Sequence, residues 1–198
     1  MAARTSPRLA PLEPRPLRAD ARRNHERILQ AARKAFTQSG REVQMDEIAQ
    51  LAGVGVGTLY RHFPTKEDLV LELVRETVQG YLESARQALT RNDAGEAVEW
   101  LVRDQAASMV RNRGLRDAMG VIQFGDENPW HADDVRSHTE ALLERARSAG
   151  EIEPDITVDD WHGLMCGLCA AIASGADPDR QVEFVLAGVR ARRESRLP

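Results

Sequence analysis

Between Val56 and Lys66 the chain sets out Thr58, Tyr60, Arg61, His62 and Lys66 with no Asp or Glu among them. Hydroxyl, guanidinium, imidazole and ammonium groups all donate hydrogen bonds. On a helix that projects Val56, Gly57, Thr58, Tyr60, Arg61 and His62 outward, such an acid-poor set suits phosphate oxygens. A second constellation, His162-x3-Cys166-x2-Cys169, puts three side chains on one helix face. Those types could hold a soft metal or sense an oxidant. One helix face rarely completes a tetrahedral site, no fourth ligand is evident, and cysteine is also a small core hydrophobe. Packing is therefore the expected role, with no metal and no cofactor. His131 and His138 are expected at solvent or at a pocket edge. The chain has no nucleophile elbow, P-loop, dinucleotide fingerprint or zinc-protease motif, so no enzyme is expected.

The donor-rich run needs elements to position it. Residues 45–63 read as two helices of about two turns across Gly53-Val54-Gly55, the helix-turn-helix layout. Ile48, Ala49, Val54, Leu59 and Phe63 are expected to face inward, and Gly53 can take the left-handed backbone that ends the first helix. Upstream, Ile28, Ala32, Ala35 and Phe36 recur at helix spacing and Gly40 stops the helix. Downstream, Thr65 and Asp68 form a capping box ahead of the stripe Leu69, Val70, Leu73, Val74, Val78. Further helix starts stand at Asp93, near residue 115 (to about 124), at Asn128-Pro129 (to about Gly150), at Thr157 with Asp160, and at Asp177-Pro178 (to about Arg193). No alternating strand is evident. The expected class is all-α, with about nine helices.

The chain has 198 residues, 42% of them hydrophobic, which is enough for a packed core. Two cysteines, no long apolar run and no apolar signal segment fit a cytoplasmic protein without a membrane span. The charge is divided unevenly. Residues 1–66 carry twelve Lys+Arg against six Asp+Glu, whereas residues 67–198 carry fifteen against twenty-five. A basic head on an acidic body points to a polyanion at the head. Residues 1–19, rich in proline and arginine, read as a disordered basic arm, either an uninvolved tail or a segment for a minor groove. The expected division is thus an arm (1–19), a helix-turn-helix domain (20–66) and a helical body (67–198).

The run from Gly53 to Leu69, with its Thr-Leu-Tyr-x-His-Phe core and following Lys-Glu-x-Leu, resembles the DNA-binding signature of the TetR family of bacterial transcriptional regulators. The resemblance spans about residues 24–70. It implies that Thr58, Tyr60 and His62 bind phosphates flanking the major groove, that Lys66 binds another phosphate at the start of the fourth helix, and that Val56 and Gly57 lie against base edges. Arg61 would reach a base or a phosphate. Two positions depart from the pattern: Gln44 stands where Ser or Thr is common, and Gly55 where Ser is. Gln44 caps less well but can read adenine, and Gly55 loses a hydroxyl but allows close approach to DNA. Specificity would then be shared among Gln44, Arg61, a thymine-methyl contact of Val56 and DNA shape.

The acidic body carries Trp100, Met109, Met119, Phe124, Trp130, Trp161 and Met165, side chains that suit an apolar ligand pocket and equally a helical core. The resemblance implies that some of them line a pocket for a small-molecule effector. It also implies that the last two helices form a homodimer, through Leu164, Leu168, Ile172, Val182, Val185, Leu186 and Val189. The function expected is a repressor that binds a palindromic double-stranded operator as a dimer and is released by a ligand. The alternative is an architectural or redox-responsive DNA-binding protein without an inducer.

Overall fold

The computed structural model describes residues 16–112, 114–116 and 129–191. Among these the chain is helical, with one isolated antiparallel bridge between Ile152 and Arg190. Helix α1 spans Pro16–Ser39 and ends in a short 3-10 turn at Gly40–Glu42. Residues 16–19, placed in the arm by the sequence, lie within this helix. The rest of the arm lies outside the described residues.

Helices α2 (Met45–Ala52) and α3 (Val56–His62) follow, then α4 (Lys66–Leu89) and α5 (Ala94–Arg111). Residues 114–116 are helical, and the rest of the helix expected at 115–124 lies outside the described residues. Asn128-Pro129 does not open the next helix. Pro129–His131 is a 3-10 turn, and α6 begins only at Asp133, running to Ser148 with Asp133 and Asp134 in its first turn. Helices α7 (Val158–Ala173) and α8 (Pro178–Val189) complete the body.

Capping explains most of these boundaries. Thr65 Oγ1 accepts from the Asp68 N–H while the Asp68 carboxylate accepts from the Thr65 N–H, and Thr157 and Asp160 repeat the pattern. This pairing holds the Asp160 carboxyl below its ordinary pKa, because hydrogen bonds from Thr157 favour the charged form. The Asp93 and Asp177 side chains accept from the N–H groups of Glu96 and Arg180. Each such cap contributes about 1 kcal/mol.

Helix α1 packs on α2 and α4, while α4 continues into the body to meet α5 and α6; α5 also packs on α7 and α8. The expected stripe of α4 is buried over Leu69, Val70, Leu73, Val74 and Val78 and extends to Tyr81 and Leu82. Arg33 pairs with Glu76 at 2.6 Å, a second tie between α1 and α4. No helix among the described residues is long and apolar enough to cross a membrane.

Candidate nucleic-acid interface and effector cavity

The turn between α2 and α3 is built on Gly53, whose φ of +62° is left-handed and whose N–H returns to Gln50 O at 3.0 Å. From α1, Arg27 donates to Gly53 O at 3.0 Å, so the turn is pinned from outside as well. Ile48, Ala49 and Leu59 are fully buried and Phe63 nearly so, as the inward set requires, while Val54 is partly buried against them. That packing turns the opposite face of α3 to solvent. Val56 and Tyr60 are 41% and 45% exposed, Gly57 and Arg61 are exposed, and Thr58 and His62 are half-buried. Nothing lies within 4 Å of the place a Cβ would occupy on Gly57.

The polar groups of this face are pre-arranged by short contacts. Arg61 folds along its own helix, donating to Gly57 O at 3.2 Å and to Thr58 Oγ1 at 3.3 Å. The His62 ring lies 5.8 Å from the His25 ring of α1, and His25 lies 5.1 Å from Phe63. Partial burial, then His25, then Arg61 hold the His62 imidazole below its ordinary pKa. Lys66, half-buried at the first position of α4, sits 5.9 Å over the Phe36 ring. Gln44 donates to Glu42 O at 2.8 Å, and the Glu47 carboxylate accepts its N–H, so its amide is occupied locally. His25 had no local sequence signal: it stands 37 positions before His62, and only the α1–α3 packing joins them.

The body holds a cavity of about 600 Å³ between α4, α5, α6 and α7, with a mostly apolar wall. Met109, Trp130, Trp161 and Met165 are in its lining. Trp100 is not. Its ring lies under the Arg91 guanidinium at 4.5 Å, partly buried against the core. Met119 and Phe124 lie outside the described residues.

Several lining residues carried no sequence signal, because the stripe that buries Tyr81 in α4 looks like ordinary core. The Tyr81 hydroxyl is 2.6 Å from Thr139 Oγ1, which itself donates to Val135 O, so Tyr81 donates to Thr139. Burial raises the Tyr81 pKa, while contacts with Thr139 and the neighbouring Trp161 indole oppose the shift. The Trp161 N–H is buried and reaches no partner in hydrogen-bond geometry. Trp130 meets Tyr81 edge-on at 5.8 Å, and an ion pair of 2.7 Å between Arg136 and Asp159 joins α6 to α7 at the rim. His162, Cys166 and Cys169 share this wall. Among the described residues no group of three His, Cys, Asp or Glu is placed to hold a metal ion. His138 is half-buried outside the cavity wall, with Nδ1 2.7 Å from Asp134 O.

Two family models match this arrangement. One, for bacterial regulatory proteins of the tetR family, covers residues 28–73. The other, for the C-terminal domain of SbtR-like transcriptional regulators, covers residues 93–191, half of the chain. The chain belongs to the TetR family. A TetR transcription regulatory protein from Mycobacterium vanbaalenii is 35% identical, with 89% of this chain and 100% of that one covered and a TM-score of 0.65. A TetR regulator from Streptomyces coelicolor is 30% identical over 84% of this chain and 98% of its own, with a TM-score of 0.61. The HTH-type transcriptional repressor KstR of Mycolicibacterium smegmatis is 29% identical over 83% of this chain and 86% of its own length. This TetR-family chain is therefore a DNA-binding transcriptional regulator and not an enzyme.

The residues expected at a dimer interface are mostly packed within one chain. Leu168, Ile172, Val182, Val185, Leu186 and Val189 are each no more than 9% exposed within one chain, and only Leu164 is half-buried. Helix periodicity identified the apolar stripe that faces α5, and a side chain spent inside the protomer has no surface left for a partner. The outer side of α7 and α8 instead shows Gly163, Gly167, Ala187, Gly188 and Phe184, the last 56% exposed.

Proposed function

We propose that this regulator represses transcription in the cytoplasm, as a homodimer on a palindromic operator, and leaves DNA when an apolar small molecule fills the body cavity. The observation that carries the reading is the acid-free, solvent-facing side of α3, held in place by Gly53 and Arg27. Thr58, Tyr60 and His62 bind phosphates on either side of the major groove, Lys66 binds a phosphate where the α4 dipole also favours an anion, and Val56 and Gly57 meet base edges. Gly55, exposed and extended at the N-cap of α3, puts no side chain between this turn and DNA. Arg61 and Gln44 must give up their local partners before they can read bases, so base readout is sparse and DNA shape carries more of the specificity.

A second copy docks on the outer side of α7 and α8, where glycines and alanine permit close approach and Phe184 supplies the buried anchor. A two-fold dimer spaces its recognition helices by about 34–36 Å. Helix α4 links the two functions, because Lys66 stands at its start while Thr77 and Tyr81 reach the cavity about 16–22 Å along the same rod. A ligand that prefers a subunit spacing mismatched to the grooves shifts the population off DNA, and operator and ligand weaken each other reciprocally. Repression is supported by the relative named as a repressor. Selection of bound duplexes from a random pool tests the core of this reading. A recovered palindrome is expected, and uniform binding to all sequences would overturn it in favour of an architectural protein.

A further inference from the structure

Cysteines are usually among the most buried side chains, yet Cys166 is exposed and Cys169 half-buried, both as free thiols. Neither belongs to the packed core. Packing, the role expected from sequence, therefore does not account for Cys166. The Cys166 Sγ lies 3.5 Å from His162 Nε2, within hydrogen-bond reach for sulfur, on the wall of an apolar cavity lined across from it by Tyr81 and Trp130. Arg116 is on the same wall, close enough to pull the thiol pKa down. Burial and Cys169 push it up more strongly, so the thiol stays protonated and shows little thiolate to oxidants in water. A thiol with a base beside it, on the wall of a mostly apolar cavity, is set up for a ligand that the cavity holds.

We propose that Cys166 is a covalent capture site for apolar α,β-unsaturated carbonyl compounds, with His162 as its base. The inference rests on the cavity being the effector site. His162 Nε2 takes the thiol proton and the sulfur forms a bond to the β-carbon of the ligand. The carbon–carbon π pair moves to give an enolate, with the Arg116 cation nearby. The imidazolium then returns the proton to the α-carbon. One S–H bond and one π bond are lost, one S–C and one C–H bond are gained, and no oxidant or reductant is consumed. The reaction is stoichiometric, and the aromatic walls favour a flat aryl enone.

Chalcone, an aryl enone, and dihydrochalcone, its saturated analogue, test this on the full chain. Intact-mass analysis should show one chalcone adduct, mapped to Cys166, absent in Cys166→Ser and retained in Cys169→Ser. His162→Gln should slow the adduct about tenfold or more at saturating chalcone, a rate separated from any change in affinity by titrating dihydrochalcone on the same variant, read as quenching of the tryptophans that line the cavity. Quenching by dihydrochalcone with no chalcone adduct would overturn covalent capture and leave the effector cavity standing. Equal labelling of both cysteines, or an unchanged rate in His162→Gln, would also overturn it. No quenching together with no adduct would remove the proposal along with its premise that the cavity admits such a ligand.

Discussion

Gly114 is one place where the body touches the head, and replacing it by alanine is a direct test of that contact. A Cβ built on Gly114 would stand 2.4 Å from the backbone carbon and oxygen of Phe36 and from Thr37 Cα. An ordinary carbon contact is near 3.5–4.0 Å, so a gap of roughly 1 Å has to open. The opposing atoms are backbone of α1, and no side-chain rotamer can relieve the clash. Overpacking of this kind costs about 1–3 kcal/mol. For a chain of this length that is a fall in Tm of about 2–4 °C per kcal/mol, or roughly 2–12 °C. The same wedge moves the end of α1 away from Leu115 and Arg116, which line the cavity just beyond Gly114. Operator affinity should therefore change even without ligand. The assay is thermal unfolding alongside operator titration of Gly114→Ala, with an exposed glycine that has open space around it, Gly80→Ala, as control. A Gly114→Ala protein with the parent Tm and the parent affinity would refute the contact and the link drawn from it.

Gly57→Ala should raise stability by up to about 1 kcal/mol, since alanine suits a helix better and meets nothing, yet weaken operator binding; equal affinity would show that α3 does not approach bases there. The lowered His62 pKa sets a pH dependence with opposite signs in two assays. Folding favours the neutral ring, so this contribution to stability is fully present above the unfolded value of about 6.5 and is lost as pH falls through the lower folded value. DNA phosphate favours the charged ring, so operator affinity should rise over the same fall in pH, and His62→Gln should abolish both trends in titrations at several pH values. Lys66→Ala should weaken binding to all duplexes alike and flatten the slope of log affinity against log salt by about one; a loss confined to one sequence would assign Lys66 to base reading. Phe184→Lys should give a folded monomer by sedimentation, because it places a charge on the outer side of α8 where the second copy is proposed to dock, and an intact dimer would move the interface elsewhere.

The head was legible because its signals are local. Gly53 had to be left-handed, Thr65 had to cap through Asp68, and the spacing of Ile48, Ala49 and Leu59 decided which side of α3 faces water. Helix starts failed where a proline admitted two answers. Pro16 lies in a helix, whereas Pro129 belongs only to a 3-10 turn that ends before the aspartates of α6. The cavity was half legible. Met109, Trp130, Trp161 and Met165 are bulky enough to be noticed, but Tyr81 and Thr139 meet across 58 positions of sequence, and no local pattern carries such a pairing.

The apolar stripe of α8 shows what periodicity alone leaves open. An apolar stripe at helix spacing says that a face is buried, not by what. On α8 the stripe of Val182, Val185, Leu186 and Val189 is consumed by α5 within one chain. The opposite side carries an exposed Phe184, with the Arg180 guanidinium 5.4 Å over its ring, and glycines whose side chains add nothing to any hydrophobic pattern. Exposed glycines within a helix weaken it by about 1 kcal/mol each. Gly163 and Gly167 lie four apart on one side of α7, and Gly188 lies one turn beyond Phe184 on α8. Three such positions on two adjacent helices are costly for a free surface and make sense where another backbone approaches closely, which gives the Phe184→Lys experiment its force.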